Sequence, residues 1–177
     1  MNPSVTSSSN NNHVGTPLPG YHQEWLTRTV HVHDFPSRSA EGGEFVWSPE
    51  FEGFGNQWRL DINPGGCANA AEGMVSLFLY NMSNKAIEID FGFSVNDRNG
   101  NLVAYIRTST PENFDPVGTA TNARGYTDYE KRSKLFNSLV DGALVIEVHM
   151  KLTNRLILFH HPSSLKILLA NKCNAFS

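Results

Sequence analysis

The chain has 177 residues, 14 Lys and Arg against 17 Asp and Glu, a net charge of −3 and 40% hydrophobic residues. That fits one ordinary domain needing neither disulfide nor metal to fold, and the scattered basic residues exclude a surface that grips a phosphate backbone, so nucleic acid is not an expected partner. No apolar run approaches the roughly 20 residues of a membrane-spanning helix, and the N-terminus lacks the charge and apolar core of a secretory signal. The expectation is a soluble protein without a membrane partner, intracellular and either cytoplasmic or nuclear.

The first 23 residues contain no Asp, Glu, Lys or Arg. Ser, Asn, Pro and Gly dominate there, and such a stretch buries too little apolar surface to offset its ordering entropy. Residues 1–20 are therefore expected to form a disordered tail. From Tyr21 the pattern turns to short alternating runs. Val30, Val32 and Phe35 come first, followed by Trp58, Leu60 and Ile62, which alternate with Arg59, Asp61 and Asn63. Val75, Leu77 and Leu79 alternate with Ser76, Phe78 and Tyr80. Ile87, Ile89, Phe91, Phe93 and Val95 hold the same period through five cycles. Asn99-Gly100 predicts a tight hairpin into Leu102–Arg107, with both turn residues at positive φ. Leu144, Ile146, Val148 and Met150 close the series. Period-two alternation puts one face of each run in a core. Seven or eight such strands predict an all-β, antiparallel β-sandwich. Ser163–Asn171 is the one helical stretch, capped by Ser163 or Ser164 with Leu165, Leu168 and Leu169 as its stripe.

Little here asks for catalysis. There is no nucleophile elbow, no phosphate-cradling glycine loop and no cysteine in an activating setting, so no catalytic residue is expected. His31 and His33 share a face, but two imidazoles do not complete a zinc site. Asp97, Asn99 and Asn101 begin a calcium-loop pattern whose final acid would fall on Thr108, and a hairpin turn accounts for them. Neither metal nor cofactor is expected. Cys67 and Cys173 fit two lone thiols in a reducing compartment, with a single disulfide as the alternative. The aromatics say more. Phe78 and Tyr80 fall on the outward face of their strand, which implies either a covering loop or a ligand surface.

Together these residues resemble the MATH domain, the meprin and TRAF homology module. The likeness rests on Val30 to Phe35, on Gly43 through Ser48 to Phe51, on W-x-L-x-x-x-P at Trp58 to Pro64, and on Val75-Ser76-Leu77-Phe78-Leu79. It spans residues 21–153. The resemblance implies an eight-stranded, TRAF-like sandwich that takes short extended peptides along an edge strand. By the same resemblance, Phe78, Phe91, Arg124, Gly125 and Tyr126 are the peptide-binding residues. Alternation by itself turns Phe91 inward, so core and groove both stand open for it. Phe114 and Asn122 are neighbours of the groove under a looser alignment. Arg124 stands where the peptide-binding adaptor of the family that the chain most resembles has a tryptophan, and an arginine there favours an acidic or phosphorylated peptide.

Residues 154–177, with their short helix and Asn174-Ala175-Phe176-Ser177, resemble the opening of a BTB domain; an ordinary terminal helix is the alternative. The first reading implies the substrate-recognition half of an adaptor for a cullin-RING ubiquitin ligase, with a substrate peptide and a cullin as partners. A TRAF-like signalling adaptor is one rival, though its usual heptad coiled coil is absent from residues 1–23. A carbohydrate-binding sandwich is another, and would use Trp25 or Trp47.

Overall fold

A computed structural model describes Val5–Ser8 and residues 24–153. Among the described residues, eleven strands make two antiparallel sheets. Strands β1 (Val5–Ser8), β2 (Leu26–Val32), β7 (Ile87–Asn96), β8 (Leu102–Arg107), β9 (Glu112–Phe114) and β11 (Leu144–Leu152) form a six-stranded sheet in the order β1-β2-β11-β7-β8, with β9 also on β7. The five-stranded sheet runs β10-β6-β5-β3, with β4 on β5. Its members are β3 (Val46–Trp47), β4 (Phe51–Gly53), β5 (Asn56–Asn63), β6 (Met74–Asn81) and β10 (Ala123–Lys131). The all-β sandwich expected from the pattern is the fold observed.

The alternating residues form its core. Val30, Val32, Trp58, Leu60, Ile62, Val75, Leu77, Leu79, Ile89, Phe91, Phe93, Val95, Leu144, Ile146, Val148 and Met150 are all buried in one cluster. The signature residues have structural work to do. Trp58 donates its indole N–H to the Gly53 carbonyl at 2.9 Å and sets its ring edge-on to Phe114, 5.1 Å away. The Ser48 hydroxyl accepts the Leu60 N–H at 2.9 Å and donates to the Pro49 carbonyl at 2.8 Å. After Pro64 the chain turns back through Gly66, at φ 84, where a side chain would be strained. Arg132 clamps this turn. Its guanidinium donates to the carbonyls of Pro64, Arg38 and Phe35 and lies over the Phe35 and Phe136 rings.

Three details differ from expectation or lie outside it. Val5–Ser8, placed by composition in a disordered tail, pairs antiparallel with β2 from Val5 opposite Val32 to Ser8 opposite Thr29. Composition missed it because main-chain hydrogen bonds to an open edge need no apolar side chains. The rest of residues 1–20 lies outside the described residues, as do the 163–171 helix, Cys173 and the proposed BTB opening. The hairpin at Asn99-Gly100 forms, but only Gly100 takes positive φ, at 81. Asp97 caps the turn by accepting the N–H groups of Asn99 and Asn101 on Oδ1, each at 2.8 Å, and this closes a longer loop than a two-residue turn.

Candidate functional site

Strand β10 is the place to look, because among the described residues it ends the five-stranded sheet and pairs on one side alone, with β6. Its register sets Ala123, Arg124, Gly125 and Tyr126 opposite Tyr80, Leu79, Phe78 and Leu77. Directly paired residues share a face, so the expected site residues divide. Phe78 and Gly125 face outward, whereas Arg124 and Tyr126 turn to the inner side with Leu79 and Leu77.

On the inner side the structure gathers three of the five. Phe91 is buried, and its ring lies 6.1 Å from that of Tyr126, 5.6 Å from Phe93 and 5.5 Å from Phe114. The inward placement given by alternation holds for it: Phe91 is a floor beneath Tyr126 at the open edge of the sandwich. Tyr126 is half-buried, with its ring edge-on to Phe93 at 6.1 Å. Burial, with Glu112 and Tyr105 adding negative potential, holds its hydroxyl above the usual tyrosine range. Arg124 directs Nη1 to the carbonyls of Ala123 at 2.8 Å and Thr121 at 3.1 Å, while Nε lies 3.4 Å from the Glu112 carboxylate. Glu112 belongs to β9, so this ion pair crosses the open edge from one sheet to the other.

On the outer side, Gly125 lies flush against β6. A Cβ there would sit 2.1 Å from the Leu77 carbonyl oxygen and 2.7 Å from Cδ1 of Phe78. The Phe78 ring lies against this bare backbone and stays partly exposed. Beside it, Tyr80 is covered as one of the two alternatives required: Trp47 packs edge-on at 4.9 Å, Phe45 follows at 5.7 Å, and the Arg59 guanidinium lies 4.5 Å over Trp47. Asp61, paired with Phe78 across β5 and β6, is buried under this cover. Loss of water pushes its carboxyl up to about 6 despite the Asn63 amide, which donates at 3.1 Å, and the nearby Arg59 charge.

Glu112 is the residue that sequence reasoning did not select. It lies close to Phe114, in the stretch where the likeness is looser, and no short pattern marks a three-residue strand. Of the two looser neighbours, Phe114 is core beside Trp58 and Phe91, and Asn122 donates to the Asn81 carbonyl at 3.1 Å. Among the described residues no three of His, Cys, Asp and Glu converge as a metal site.

Strand β10 thus presents an edge with a flush glycine and flanking aromatics. A family model, the MATH domain, matches residues 27–150. The chain belongs to the MATH domain family. MATH domains are protein-interaction modules. Among solved structures, TRAF5 of Notothenia coriiceps is similar at 12% identity and a TM-score of 0.48, over 76% of this chain and 76% of that one. No curated protein matches the sequence.

Proposed function

We propose that this MATH domain binds a short extended segment of another protein as an added strand on β10. The observation that carries the reading is that β10, among the described residues, pairs on one side alone, with Gly125 flush at its centre. A strand laid on that edge would bond its main chain to β10 and send side chains alternately to the two faces. Outward residues would pass the bare Gly125 to reach Phe78, while inward ones would meet Tyr126, Arg124 and the Phe91 floor. The division of the expected residues between two faces is compatible with strand addition, in which side chains of the added segment alternate between faces. The role is recruitment and not catalysis, inside the cell, in cytoplasm or nucleus.

The finer role, substrate recognition for a cullin-RING ubiquitin ligase, is supported by the likeness of residues 154–177 to a BTB opening. Co-purification of the full gene product with a cullin tests it; absence of both cullin and ubiquitin transfer would sink it. A sugar-binding role has less support, since Trp47 and Trp25 already carry the guanidinium groups of Arg59 and Arg107, each 4.5 Å from the ring centre.

Strand addition has a direct test. In hydrogen exchange, a peptide selected on an array should slow the amides of residues 123–127, and protection confined to other strands would rule it out. Tyr126→Ala should weaken the peptide by about 1–3 kcal/mol, as for an aromatic anchor. It should also lower stability, because the ring packs on Phe91 and Phe93.

A further inference from the structure

Resting on that reading, we infer that the added segment carries a phosphorylated serine or threonine whose phosphate takes Arg124 from Glu112. The guanidinium is held but not saturated. Nη1 is fixed by the Ala123 and Thr121 carbonyls, Nε faces Glu112 at 3.4 Å, and Nη2 donates no hydrogen bond to the described residues. The Arg124 side chain keeps 30% of its surface open and that of Glu112 keeps 39%. An ion pair so exposed contributes little to stability and is readily exchanged. A phosphate near neutral pH carries close to two charges and three acceptor oxygens. It can engage Nε and Nη2 together in the two-pronged geometry that guanidinium offers, where the single carboxylate contact cannot compete.

Position favours the same ligand. Arg124 stands next to Gly125 on the strand that the segment would join, and it shares the inner face with Tyr126. A phosphorylated side chain on the inward face of an added strand therefore arrives beside the guanidinium, with its neighbours at two-residue spacing near Tyr126. Glu112 serves as a resident stand-in: it holds Arg124 in place while the edge is empty, and its charge opposes weakly anionic competitors.

Three pools of degenerate peptides, with a fixed central serine, phosphoserine or glutamate, test this against the full chain by fluorescence anisotropy. The phosphoserine pool should bind about tenfold more tightly than the serine pool, with glutamate between them. Arg124→Ala should bring the phosphoserine-to-serine ratio to about one, Arg124→Lys should leave it intermediate, and Glu112→Gln should raise it. Equal binding of serine and phosphoserine pools by the native chain would overturn the phosphate assignment while leaving strand addition standing. An unchanged ratio in Arg124→Ala would do the same. Failure of all three pools to bind would overturn both.

Discussion

The outer faces of the two sheets bury polar groups in opposite ways. On the six-stranded sheet, Thr27, His149, Ser94, Glu147 and Asn96 form one continuous chain. Ser94 donates to Glu147 at 2.9 Å and sits 2.8 Å from Nε2 of His149, whose Nδ1 is 3.0 Å from the Thr27 hydroxyl. The Asn96 amide supports Glu147 at 3.2 Å. One assignment satisfies every member: Thr27 donates to Nδ1, Nε2–H donates to Ser94, and Ser94 donates to the carboxylate. On the five-stranded sheet, Asp61 has the Asn63 amide and an aromatic cover of Trp47 and Tyr80, and its carboxyl rises to about 6 because water is excluded. Partnership, more than burial, separates a polar group that stabilises from one that costs.

Glycines on these faces sharpen the contrast most. A Cβ at Gly92 would meet the Ile106 carbonyl oxygen at 2.5 Å, and β7 is enclosed between β11 and β8. Gly92→Ala should therefore cost about 3 kcal/mol in urea unfolding. Gly125→Ala makes a closer clash, but β10 has no second neighbouring strand among the described residues and can shift, so about 1–2 kcal/mol is expected. Equal losses would show that the β10 edge is as constrained as the sheet centre, and would weaken the case for a strand ready to accept another.

Breaking the polar chain comes next. Ser94→Ala strands the Nε2–H of His149 and takes one donor from Glu147, with an expected loss of about 1–2 kcal/mol. A neutral result would mean that water replaces the hydroxyl and that the face is wetter than the hydrogen bonds imply. The smallest change should be a gain. Asp61→Asn should add about 1 kcal/mol at pH 7 by removing a carboxylate that folding desolvates.

The two faces also have opposite pH signs. Asp61 is raised from 3.8 to about 6, so the folded state holds its proton more tightly; its penalty is full above pH 6 and fades as pH falls toward 3.8. Burial lowers His149, with Glu147 opposing, so the unfolded state holds that proton more tightly and stability falls as pH drops below 6.5. In Asp61→Asn the acid loss below pH 6.5 should stand out more steeply than in the native chain. Identical slopes in the two proteins would show that Asp61 is better solvated than its cover suggests.

Much of this was legible in the order of residues. Alternation placed Trp58, Leu60, Leu77, Phe91, Phe93 and Ile146 in the core, because a strand in a two-layer fold must turn every second side chain away from water. It also put Phe78 and Tyr80 outside. It did not say which of the two was covered, since the cover comes from Phe45 and Trp47, more than 30 positions away, and from Arg59. Nor did it find β1, whose pairing depends on an edge left open by β2 and not on its own composition.

Fold class, the inward residues and the family could be read in one dimension, because they depend on local period and on short motifs. Tertiary structure alone decided that β10 ends a sheet and that Phe78 and Tyr126 lie on opposite faces of it. It also decided that Arg124 faces Glu112 across the open edge. Those facts are set by strand order and register between segments far apart in the chain, and side-chain identity at one position carries no record of which distant backbone will lie beside it.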